Sequence, residues 1–187
     1  MKKIILFVFL SSMVFSQDIA VWGWTKGTWI KFFQKEYDLK VAVLNLDENG
    51  RMPVKEFKKY KLVILCRGSI KEKLNDEEIE EVKNYLSSGG KILIFSVTIS
   101  ELFSKNTHYD IERANDVIGA KRYLFATFKG EVMVKNSPLF NDIEFDDYPW
   151  LYDRPSLTDI KDGKVILGNK VGDKLAAKVL INKVGNG

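Results

Sequence analysis

Lys61–Val97 reads KLVILCRGSIKEKLNDEEIEEVKNYLSSGGKILIFSV, and its punctuation decides the fold. Lys61–Cys66 is an unbroken apolar run after its first residue, the pattern of a strand covered on both faces. Asn75 stands three residues before Glu78, the spacing of a capping box, and Asp76, Glu77 and Glu78 suit the positive end of a helix dipole. Ile79, Val82 and Leu86 recur on one helical face, and Gly89-Gly90 closes the helix where a left-handed residue is wanted. Lys91–Val97 is a further buried strand. Strand, helix and strand in this order predict parallel pairing through a right-handed crossover.

Upstream the alternation continues. Asp18–Trp24 reads as a strand entering a glycine turn, and Thr28 as the cap of a helix with Trp29, Phe32, Phe33 and Tyr37 at helical spacing. Leu39–Leu46 is the next strand, Asp47–Gly50 a turn, and Pro53–Lys59 a short helix. Downstream the pattern loosens. Ser100–Phe103 starts a helix, Tyr109–Ile118 forms another that ends at Gly119, and Lys129–Lys135 is a strand before the Asn136-Ser137-Pro138 turn. Residues 141–155 read as an acidic, aromatic loop. Lys164–Asn169 and Leu175–Lys183 form a hairpin around Gly172-Asp173. The chain closes with Gly185-Asn186-Gly187, a turn that ordinarily leads to a partner strand, so a last strand is expected past Gly187. Its seam with any partner is expected on the strand before that turn.

The first residues predict a compartment. Lys2 and Lys3, the apolar run Ile4–Leu10, and Val14 and Ser16 at −3 and −1 form a signal peptide over 1–16, with one domain over 17–187. The run is shorter than the ~20 residues of a membrane span. With no cysteine near the cut, a lipid anchor is not expected; the chain is read as secreted or periplasmic, off the membrane after cleavage. Removing Lys2 and Lys3 leaves 27 basic against 25 acidic residues and lowers the formal net charge from +4 to +2. Basic residues are scattered among acids, so no nucleic-acid footprint forms. A single cysteine excludes an internal disulfide, and a single histidine, His108, excludes His-rich metal sites and makes most triad chemistry depend on that one residue.

The Lys61–Val97 segment resembles the core of the class I glutamine amidotransferase-like superfamily, including trehalose-utilisation-like proteins and the trimerisation domain of family 42 β-galactosidases. Asn136–Phe140 (NSPLF) and Ala176–Gly187 are similar to later landmarks of that group. The resemblance implies a flavodoxin-like three-layer α/β sandwich: a mainly parallel sheet with a C-terminal antiparallel hairpin. Its ligand crevice would open at the carboxyl ends of the first and third strands. The family's nucleophile, a cysteine between glycines after the fourth strand, is matched by Phe95-Ser96-Val97-Thr98, with serine in the cysteine's place and no glycine beside it. No histidine follows His108, so the late base is missing too.

The leading expectation is a non-catalytic domain that binds a small molecule, a carbohydrate among them, or a protein partner. Trp24, Lys26, Arg67 and Ser69 are its site, on the loops after the first and third strands. An exposed Trp24 would stack on a sugar or another apolar face, whereas Trp22 and Trp29 read as core. The alternative is a hydrolase of a glycan or amide with Cys66 or Ser96 as nucleophile. Cys66 beside Arg67 reads either as an activated thiolate or as the small buried hydrophobe that cysteine usually is. A third expectation is self-association within a larger assembly. Neither metal nor cofactor is expected. Glu144, Asp146, Asp147 and Asp153 lack the spacing and glycine of a calcium loop and read as a solvated face, with Arg154 as a pairing cation. Gly23 and Gly27 make no complete dinucleotide fingerprint, even with Asp47 after the second strand.

Overall fold

A computed structural model describes residues 19–66, 68, 70–105, 110–124, 133–135, 156–171 and 174–185. The chain is α/β, with two sheets. Strands β1 (Ile19–Trp22), β2 (Val41–Val43), β3 (Leu62–Leu65) and β4 (Lys91–Ile94) form a wholly parallel sheet in the order β2-β1-β3-β4. The helices that connect or follow them are α1 (Lys26–Tyr37), α2 (Asp76–Ser87) and α3 (Ser96–Phe103), with a 3-10 segment at Val54–Lys59.

The capping box of α2 forms as its spacing predicts. Asn75 Oδ1 accepts from the Glu78 amide and Glu78 Oε2 accepts from the Asn75 amide, both at 2.8 Å. Arg51 donates to the same Glu78 carboxylate at 2.9 Å, which ties the β2–β3 connection to the start of α2. Gly89 takes the left-handed turn after the helix, with φ +97°. Helix α1 begins a turn earlier than a Thr28 cap predicts. The Thr25 carbonyl already accepts from the Thr28 and Trp29 amides, so Thr25 is the cap residue and Thr28 lies inside the helix.

The two faces of the parallel sheet are covered unequally. On one, Ile19, Val21, Leu62, Ile64 and Cys66 pack under Phe33 of α1, with Trp29 and Tyr37 half-buried above them. On the other, Ala20, Trp22, Val63 and Leu65 meet Phe57, Ile79, Val82 and Tyr85 in a larger cluster. That cluster runs on into the second half of the chain through Ile111, Ala120, Tyr123, Leu157, Val165 and Ala177.

The hairpin expected near the end is present, as β8 (Lys164–Val171) and β9 (Lys174–Ile181), but it does not extend the parallel sheet. It belongs to a separate antiparallel sheet with β5 (Ala120–Leu124), β6 (Met133–Lys135) and β7 (Ser156–Ile160), in the order β5-β7-β9-β8-β6. Strand β9 lies inside this sheet between β7 and β8, so the strand before the closing turn is not an open seam. The helix expected over 109–118 reduces to a 3-10 turn at Glu112–Ala114 and a single-turn α4 (Asn115–Ile118), ended by Gly119 at φ +80°. Within that turn Arg113 locks the join between the halves. Its guanidinium donates to the carbonyls of Phe103 (2.9 Å), Ser104 (3.3 Å) and Leu74, and it pairs with Asp76 at 3.2 Å. The acidic loop and His108 lie outside the described residues.

Candidate functional site

The carboxyl ends of β1 and β3 lie side by side, with Trp22 opposite Leu65 in the ladder. The strand order steps away from this pair in both directions, to β2 on one side and β4 on the other. Beyond β1 the chain turns at Gly23, whose φ of +114° is open to glycine and strained for other residues. The Gly23 carbonyl accepts from the Lys26 amide at 3.2 Å, and α1 starts there without a side-chain cap and without an acid in its first turn. Residues 24–28 are all exposed, Trp24 most notably at 64%. Trp24 in the turn and Lys26 at the start of α1 are therefore exposed two residues apart.

Beyond β3 the chain is held close. The Cys66 amide donates to the Trp22 carbonyl at 2.9 Å, and Thr98 Oγ1 donates to the Cys66 carbonyl at 3.0 Å. Gly68 crosses the Trp22 ring so closely that an added Cβ would lie 2.5 Å from it. Glycine is needed there for close approach rather than for a special φ. Arg67 and Ser69, the other two expected ligand residues, lie outside the described residues.

Cys66 sits beneath the β1 loop and is buried. Burial pushes its thiol up, opposed by hydrogen bonds from Thr25 and Trp29 to the sulfur. A thiol raised in this way is protonated at neutral pH and shielded from solvent, which suits a packing residue better than a nucleophile. Ser96 is the first residue of α3. The preceding Phe95 is extended, with φ −83° and ψ 142°, and leads straight into the helix. Among the described residues only Asp38 and Asp159 are left-handed without being glycine, and neither is at this junction. The sharp strand-to-helix elbow that exposes a nucleophile is not built here.

An aromatic wall beside the site escapes a sequence reading. Trp29, expected in the core, is half-buried and packs its ring 5.5 Å from Phe95, which is itself 40% exposed. The alternation Leu93, Phe95 along β4 carries the signal, but only the register Ile64↔Leu93 shows which face these side chains share. Among the described residues no three His, Cys, Asp or Glu side chains cluster to hold a metal, and no helix is long and apolar enough to cross a membrane. Compared with protein-family models, curated proteins and solved structures, the chain matches none.

Proposed function

We propose that this chain is an exported, non-catalytic domain of the amidotransferase-like kind that binds a small molecule, a carbohydrate foremost, at the carboxyl ends of β1 and β3. The carrying observation is Trp24, a large aromatic left 64% exposed at the point where the strand order diverges. Apolar rings held out to solvent at such a position are the usual platform for the apolar face of a sugar. Lys26, the exposed first residue of α1, adds an ammonium donor beside it.

The order β2-β1-β3-β4 is that of the first four strands of a flavodoxin-like sheet, where ligands sit between the first and third. The departure of β5 into a second sheet limits the likeness to those strands. Export rests on the Met1–Ser16 segment. Burial of Cys66 and the regular backbone at Phe95-Ser96 favour binding over hydrolysis by either residue.

The test is a glycan-binding screen of the wild type beside Trp24→Ala, followed by titration of any hit. A stacking tryptophan carries about 2 kcal/mol, so the variant should bind about thirtyfold more weakly with its melting temperature unchanged. Equal binding by both proteins would remove the site. Failure of the wild type to bind any glycan would remove the carbohydrate assignment.

A further inference from the structure

We propose that Asn49-Gly50 is a modification site, where the Asn49 side-chain amide is lost as ammonia through attack by the Gly50 backbone nitrogen, and that Asp47 holds this site closed in the folded chain. The residue order suits the chemistry. Glycine has no side chain to shield its backbone nitrogen, and asparagine is among the residues depleted from proteins built for high temperature. Asn49 is exposed in the turn that leads from β2 toward β3, so its side chain meets water.

The step balances. Gly50 N bonds to Asn49 Cγ, the Cγ–Nδ2 bond breaks, and ammonia leaves with the proton that the Gly50 amide gives up. Water then opens the cyclic imide. Opening at Cγ leaves aspartate in the ordinary chain, and opening at the backbone carbonyl leaves isoaspartate, with the chain routed through the side-chain methylene. Water is the only co-reactant.

The turn withholds the nucleophile. The Gly50 amide donates to the Asp47 carbonyl at 2.9 Å, and Asp47 Oδ1 accepts from the amides of Asn49 (2.9 Å) and Arg51 (2.8 Å). The Asp47 amide in turn donates to the Arg51 carbonyl at 3.0 Å, so one residue fixes the backbone on both sides of the Asn49-Gly50 bond. Gly50 is buried and left-handed at φ +77°, with the Lys71 stem so close that an added Cβ would lie 2.7 Å from it. Arg51 is pinned as well, to Glu72 at 2.8 Å and Glu78 at 2.9 Å. Ring closure requires Gly50 N to leave Asp47 and swing toward Asn49 Cγ, a movement that this closed set of bonds opposes. Reaction therefore follows local opening of the turn. It also makes the opening permanent. Isoaspartate adds a backbone methylene between Asp47 and Arg51, so the hydrogen bonds that close the turn no longer match in register. The proposal uses neither Trp24 nor Lys26 and is independent of the ligand reading.

Ageing of the full chain at physiological temperature and mildly alkaline pH tests it. Peptide mapping by mass spectrometry follows Asn49 separately from Asn186, the other asparagine that precedes a glycine. Wild type unfolded in guanidinium chloride should convert readily at Asn49, and folded wild type at least about tenfold more slowly. Folded Asp47→Ala, with its far-ultraviolet circular dichroism unchanged, should convert at least about fivefold faster than folded wild type. Asp47→Asn keeps an acceptor oxygen in place and should stay near the wild-type rate. The isoaspartate form, separated by ion exchange, should melt below the unconverted chain. An unfolded chain that keeps Asn49 intact overturns the site. A folded wild type as fast as the unfolded chain overturns the closed turn, and equal rates for Asp47→Ala and wild type, or for Asp47→Asn and Asp47→Ala, overturn the part given to Asp47. An isoaspartate form that melts with its parent overturns the permanence.

Discussion

The parallel sheet and the antiparallel sheet are built on different logics within one chain. In the parallel sheet, strands such as Leu62–Leu65 are buried throughout, and the chain crosses over once, from β2 at one edge to β3 on the far side of β1. In the antiparallel sheet, β7 is buried only at Ser156 and Leu157, β5 is charged, and the β8–β9 ladder slips register between Val165 and Gly168. Sequence distance does not separate the two sheets, since β1 pairs with β3 over as long a stretch of chain as β5 with β7. The first sheet carries loops at its carboxyl edge and so carries the candidate site. The second supplies a covering surface whose apolar residues join the cluster beneath the first.

If that division holds, the two sheets should still unfold together, because Val63 and Leu157 belong to one apolar cluster. Ile64→Ala empties a fully buried position in the parallel sheet and should cost about 3–4 kcal/mol, and Leu157→Ala in the antiparallel sheet about 2–3 kcal/mol. Both should lower the same single transition in denaturant monitored by far-ultraviolet circular dichroism. Two separated transitions, with Leu157→Ala moving only one, would break the comparison.

Gly68→Ala sharpens it at the site. The added methyl meets the Trp22 ring, and the clash should cost about 1–3 kcal/mol by thermal melting, an effect absent at Gly27, where the surrounding space is open. The smallest effect tests local coding alone. Asn75→Ala removes half of the capping box and should cost about 1 kcal/mol, with Glu78 still paired to Arg51.

The contrast also explains what could be read in advance. The α2 boundaries are legible because a cap, an acidic first turn and a closing glycine are local instructions within fifteen residues. Strands β5 and β7 go unread because AKRYL and SLTDI mix charge and polarity and show neither an apolar run nor a clean alternation. The hairpin β8–β9 is legible as a pair, but its sheet is not, since which strands flank a hairpin is decided by packing. At the site, Trp24 and Lys26 are foreseeable from the Gly23 turn. Burial of Cys66 beneath Thr25 and Trp29 is a tertiary fact that no spacing encodes, and so is the tilted contact of the Trp29 and Phe95 rings.

The shared apolar cluster has a consequence for synthesis. By the time Phe103 leaves the ribosome, all four parallel strands have been made, and every partner their ladders need is already present in the chain. Yet Ile99, Leu102 and Phe103 wait for Ile111 and Ala120, while Val165 and Ala177 arrive some sixty or more residues later. A nascent chain of that length carries all the parallel strands but only part of the cluster that covers them, so Leu102 and its neighbours lack their last apolar partners until β9 is made.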